Sequence, residues 1–350
     1  MTKELLMASA LVSTMGVASV AQAVTATMSG HHDAGLVGAN IDSGSEDTTS
    51  AKTESSFSVS LSETTDGGVG IATSFMLANE TDTGLHTSGL TLTFTDGSKL
   101  DLVNAGNAAG SHDISVPGGA GKAEGITVTS TNTAPGGLDF FKEAGAASFE
   151  WHSAADFMAD GLKIGVSYSA DNGAAGGTSS KLESSWGVGA TYVTTAGDTS
   201  VTIGAGLADS TWKDSSLGPT NNSNGFHIGL SAVTGNLTVA AGYADGDDAT
   251  QTTGEYEVMD ASVTKVGIKY VSGDITMSAG YTAGSGKDSD TMGTKGTTED
   301  SKDVTEAGIS YAVASGVTAN LGFKDIDAKD EGSGDNTGGS SWYIGASMSF

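Results

Sequence analysis

Eight ionisable side chains share an alternation phase with runs of Gly, Ser and Thr: Glu150, His152, Lys163, His227, Lys265, Lys269, Glu306 and Lys324. In an extended chain alternate side chains share a face, so these charges project from a polar wall. Fixed charges on such a wall attract or repel passing ions, and clustered lysines favour anions. The plainer role is to hydrate the wall. A second charged set lies between residues 104 and 147: Asp113, Lys122, Glu124, Asp139, Lys142 and Glu143, beside Pro117-Gly118-Gly119 and Pro135-Gly136-Gly137.

Other chemistry finds less support. The chain has no Cys, which excludes thiolate metal clusters and cysteine nucleophiles. His31-His32-Asp33 has the composition of a ligand cluster, but neighbouring strand residues face opposite ways. At most His31 and Asp33 cooperate, and no metal site is expected. Asp245-Gly246-Asp247-Asp248 and the acidic run Asp325, Asp327, Asp330 and Glu331 offer oxygen donors of the kind that Ca2+ and Mg2+ prefer. Neither fits an EF-hand. Gly284-Ser285-Gly286-Lys287 lacks the first Gly and the final Ser or Thr of a phosphate loop. No cofactor is expected.

The elements that must carry these residues are strands. Period-two alternation recurs along the whole chain and pairs into hairpins across tight turns. Trp186, Val188, Ala190 and Tyr192 turn at Ala196-Gly197-Asp198 into Val201, Ile203, Ala205 and Leu207. Phe226 to Leu230, Val266 to Tyr270 and Ala307 to Tyr311 each lead into such a turn, as hairpin geometry demands. One strand at 24–38, seven hairpins and the final Trp342–Phe350 make 16 strands. Connections alternate short and long, and the longest spans 104–147. Aromatic residues fall at strand ends, which would set one ring belt at each membrane interface.

This pattern predicts an all-β fold: a transmembrane antiparallel up-and-down β-barrel of about 16 strands, with short periplasmic turns and long external loops. The 52 Gly and only 3 Pro argue against a helical bundle, and all three prolines lie between alternating segments. Residues 1–23 read as a secretory signal, with Lys3, an apolar run and Ala21-Gln22-Ala23 ahead of a barrel domain at 24–350. Small inner residues such as Gly187, Gly189, Thr202 and Gly204 cannot fill so wide a barrel, so an aqueous channel follows. With 42 acidic against 15 basic residues the formal charge is −27, which repels nucleic acid.

Signal segment, sixteen strands, loop order and the closing aromatic Phe350 together resemble the Gram-negative general porins over the whole of 24–350. The resemblance implies an outer-membrane channel for passive diffusion of small hydrophilic solutes, and a homotrimer. It also implies that the third long loop, 104–147, folds inward and sets its acids against a basic wall. Lipid and lipopolysaccharide would be partners, the latter through weak Ca2+ or Mg2+ bridging by acidic loops. One departure is plain: all 15 basic residues are Lys. A stacked guanidinium ladder is therefore impossible, and the acidic external loops lean toward cation preference or weak selectivity. Two alternatives are a barrel hydrolase with a Ser/His or Asp/His site and a surface adhesin.

Overall fold

The structure, a computed structural model, describes residues 24–41, 48–78, 85–119, 134–142, 147–170, 180–214, 221–248, 258–288, 299–329 and 336–350. The expected signal at 1–23 lies outside these residues. The strands are β1 (Thr25–Ile41), β2 (Thr48–Thr64), β3 (Gly70–Ala78), β4 (Leu85–Thr87), β5 (Leu90–Thr93) and β6 (Lys99–Leu102). A four-residue helix, α1 (Ala108–Ser111), precedes β7 (Ser148–His152), β8 (Leu162–Ala170), β9 (Ser180–Ala196) and β10 (Thr199–Asp214). Then come β11 (Asn221–Thr234), β12 (Leu237–Asp248), β13 (Val258–Ser272), β14 (Ile275–Asp288), β15 (Glu299–Ala314), β16 (Val317–Lys329) and β17 (Asn336–Ser349).

Successive strands pair antiparallel, β4 and β5 excepted, and β1 also pairs β17, which closes the sheet. Both β4 and β5 pair with β3, one beyond the other, so they are two halves of a single stave. Seventeen segments thus make the sixteen staves that the alternation predicts. Closure matters physically, because only a sheet without edges satisfies every backbone group in lipid.

Turns and faces follow from residue type. Gly197, Gly235, Gly273 and Gly316 have φ of 61°, 55°, 58° and 73° in the tight turns, a conformation L side chains resist. Outward positions carry the large apolar residues: Ile228, Leu230, Ile268 and Ile344 are all exposed. Such a band would be an aggregation surface in water and is what a bilayer covers. Tyr192, Tyr270 and Tyr311 ring its short-turn end, while Tyr168, Trp186, Phe226, Tyr243, Tyr281 and Trp342 ring the other.

The strands run further than their apolar pattern. The alternation beside the turn at Ala196 stops near Trp186 and Leu207, yet β9 starts at Ser180 and β10 reaches Asp214. Beyond the bilayer the outer face need not be apolar, but the backbone ladder continues. The face that does need to be apolar gives a clear expectation. Leu230→Lys, which puts a charge on the outward face near the midplane, should destabilise the barrel by about 2–4 kcal/mol. Thr238→Lys on the inward face of β12 should change little. Urea unfolding in lipid vesicles, followed by Trp fluorescence, measures both.

Candidate functional site: the lumen and its inward loop

Among the described residues, the main buried apolar cluster lies between a loop and the inner wall. Ala109, Leu138 and Phe141 of the 104–147 connection pack on Ala208, Ala244 and Val263 of β10, β12 and β13. The loop leaves β6 with Val103 N donating to Ser148 O at 2.8 Å. Asn107 caps α1 by accepting from Ala109 N at 3.0 Å, and Ala108 N donates to Ser167 Oγ at 2.8 Å. His227 Nε2 donates to Ala109 O at 2.7 Å. On the far wall Gly119 N reaches Glu306 Oε2 at 3.4 Å, and Lys302 Nζ donates to Ala134 O at 2.7 Å. Residues 134–142 then pass back over β12 and β11.

Glycine makes this contact possible. Gly165 pairs with Gly189, which pairs with Gly206; Gly204 pairs with Gly229, which pairs with Gly242. A Cβ on Gly204 would sit 2.3 Å from His112 O, and one on Gly267 or Gly284 would sit 2.0 Å from the carbonyl of Pro117 or Pro135. These bare strand positions let a second backbone lie flat on the wall. The small inner face therefore has a use beyond leaving room for water: it beds the loop.

Charge also ties the two arms of the loop to each other. Asp113 pairs with Lys142 Nζ through Oδ2, and His227 Nδ1 lies 2.8 Å from Asp113 Oδ1, off the hydrogen-bond axis. The Lys142 side chain is 3% exposed and His227 is 1% exposed. A charge so buried persists only when paired. His112, next along, has its Nδ1 2.7 Å from Thr191 Oγ1. Burial pushes its pKa down to about 4, helped by the nearby charges of His152, His227 and Lys163. It is therefore neutral at physiological pH.

The structure separates the predicted residues into groups. Glu150 points inward but is 3% exposed, covered by the loop, with Ser111 Oγ donating to it at 2.5 Å. His152 stands between Glu150 and Asp101 at 3.5 and 3.4 Å. Lys163 faces the lumen opposite Thr191. Lys265 and Lys269 lie on β13, opposite Thr282 and Ser278 of β14. Lys324 pairs with Glu306 across strands at 3.6 Å. The lysines are thus dispersed and form no single basic cluster. Asp139 is exposed on the returning arm, and Lys122, Glu124 and Glu143 lie outside the described residues. On β1, His31 and Asp33 do share the inner face, 3.4 Å apart, while His32 turns outward to Ser55. Asp245 and Asp247 of the acidic runs are taken up by Tyr243 and the Asp260 amide. Asp330 and Glu331 lie outside the described residues.

Sequence reasoning passed over Asn107, Ser167, Thr191 and Lys302, all of which hold the loop. The available signal was apolar: Ile114, Leu138, Phe140 and Phe141 are out of place in a solvated loop.

Between the loop and the wall of β5 to β10 lies a cavity of about 1230 Å³ that reaches the short turns at Asp96-Gly97 and Ala154–Asp156. Asp96, Asp101, Asp113 and Asp156 line it, against Lys99 and Lys163. Within Asp96's own turn, hydrogen bonds from Ser98 hold its carboxyl below the usual range. The lining mixes polar and apolar side chains, is acidic on balance and is wide enough for hydrated ions.

Known structures share this architecture. An anion-selective porin from Comamonas acidovorans superposes with a TM-score of 0.64 at 14% identity, covering 93% of this chain and 100% of that one. Salmonella typhi OmpF, in complex with daunomycin, gives 0.63 at 14% identity, covering 93% and 98%. In-vitro folded OmpT of Vibrio cholerae, in its trimer form, gives 0.59 at 14% identity, covering 94% and 100%. No curated protein sequence is a significant match. The family model for Gram-negative porins matches residues 8–331, and with its closed barrel and inward loop the chain belongs to that family.

Proposed function

We propose that this porin passes small hydrophilic solutes and ions by passive diffusion with a weak preference for cations, its third loop setting the narrowest section. Membership of the family makes the chain an outer-membrane diffusion channel. The preference rests on one observation: four aspartates face two lysines around the lumen cavity. A net negative wall raises local cation concentration. Lys163, Lys265, Lys269 and Lys324, with His152 and Glu306, act as pore-lining charges, and Asp113, Asp139 and Lys142 belong to the constricting loop. Lys122, Glu124 and Glu143 complete that loop in this reading.

Reversal potential in a KCl gradient tests it. Wild type should reverse on the cation side of zero, and Lys265→Glu should move it further by several millivolts. An unchanged value in Lys265→Glu removes that residue from the lining, and an anion-side value for wild type overturns the preference.

The same reading makes residues 1–23 the export signal and the functional unit a homotrimer, as the trimeric OmpT neighbour supports. Lipopolysaccharide contacts the acidic external loops through divalent cations. The chain transports and does not catalyse, and family membership lends nothing to the hydrolase or adhesin alternatives.

A further inference from the structure

Three of the chain's six histidines, His112, His152 and His227, meet where the loop lies against the wall. Two of them have a carboxylate at hand for a second proton. His152 Nε2 stands 3.4 Å from Asp101 and 3.5 Å from Glu150. His227 Nδ1 faces Asp113 at 2.8 Å, while its Nε2 donates to Ala109 O.

His112 is different. It is the C-cap of α1, is 5% exposed and engages Thr191 Oγ1 through Nδ1. Its Nε2 is buried without a hydrogen-bond partner and lies over Gly165, where a Cβ would come within 2.8 Å of it. An imidazolium carries N–H on both nitrogens, so the charged ring would aim a donor at bare backbone. A buried cation with an unmet donor is costly. We propose that His112 makes the loop releasable by acid: its ring cannot hold a second proton against the wall, and the loop lifts from the glycine track.

The surrounding charges act the same way. The elements packed on α1 present Glu150 and His152 from β7, Lys163 from β8 and His227 from β11. Asp101 stands behind His152 on β6, and Asp113 and Lys142 belong to the loop itself. The facing parts of β9 and β10 carry Gly189, Thr191, Gly204 and Gly206 and no ionisable group. The carboxylates are already engaged: Ser111 donates to Glu150, Thr91 to Asp101, and Lys142 pairs with Asp113. Burial, then repulsion from His152, His227 and Lys163, lowers the His112 pKa from 6.5 to about 4. In water the ring would return to 6.5, so the docked loop binds the proton more weakly than the released one. Docking is therefore strongest above pH 6.5 and weakens about ten-fold per pH unit from there toward 4. A released loop no longer fixes the lumen's cross-section, so acid should turn steady current into fluctuating current. That consequence rests on the channel reading, but release does not.

Hydrogen-exchange protection factors of the refolded barrel, measured from pH 6.5 to about 4.5, test the switch. Protection at 107–116 should fall about ten-fold per pH unit while β11 to β16 stay protected. His112→Asn keeps an amide beside Thr191 and cannot titrate, so its loop should stay protected throughout. His31→Asn, on β1, should behave as wild type. Nitrogen NMR of histidine-labelled wild type needs no variant to fold and should show His112 neutral wherever the loop is protected. Flat protection in wild type, a charged His112 in a protected loop, or the same acid loss in His112→Asn overturns the switch; the last would assign the response to Asp113 and Lys142. Steady conductance steps with pH-independent protection would sink the switch and leave the channel reading intact, whereas acid release without any conductance would do the reverse.

Discussion

Replacing residues 105–146 with a short Gly-Ser linker should raise single-channel conductance on the order of two- to three-fold and flatten ion selectivity. The loop crosses the inner wall from β8 to β16 and back, and occupies lumen that a bare sixteen-stave barrel would leave to water. The barrel itself does not depend on it. Leu102 pairs with Phe149 and Val103 N bonds Ser148 O, so a tight hairpin can join β6 to β7. The glycine track would then line open water. Conductance in 1 M KCl is the readout, with heat-modifiable gel mobility as the check on folding. Equal conductance with and without the loop would show that the narrowest section lies elsewhere.

Asp113→Ala should release the loop without unfolding the barrel. The substitution removes the partner of Lys142, whose side chain is 3% exposed. Breaking one side of a buried ion pair costs about 3–5 kcal/mol, because the remaining charge is uncompensated. The strand ladders cannot relieve it, but undocking the loop can. Hydrogen exchange at 107–116 and 134–142 should therefore accelerate strongly, while exchange in β11 to β16 stays slow. Asp113→Ala with Lys142→Met should recover most of the protection, since a methionine of similar length fits beside Phe141 without a charge. Slow exchange retained in the single variant would show that the Asp113–Lys142 pair does not keep the loop docked.

How much of this could be read from sequence depended on which solvent imposed the pattern. The bilayer demands an apolar outer face, so Leu230, Ile268 and Ile344 announced their staves and sixteen could be counted. Beyond the bilayer that demand lapses, and no alternation marks the outer ends of β9 and β10 at Ser180 and Asp214. The inner face was ambiguous for a different reason. Glycine at 189, 204, 206 and 229 reads equally as open wall or as a bed for another backbone, and only the loop's path decides. The link from His112 to Thr191 spans 79 residues, and no local pattern encodes it. For the same reason Asp101, which meets Glu150 and His152 only through strand pairing, was not singled out.

Single-channel recording from the refolded protein in a planar bilayer tests the central claim most directly. A water-filled barrel narrowed by its own loop should give well-resolved, ohmic current steps that reverse slightly on the cation side in a KCl gradient. Folded, membrane-inserted protein that yields no steps would contradict it.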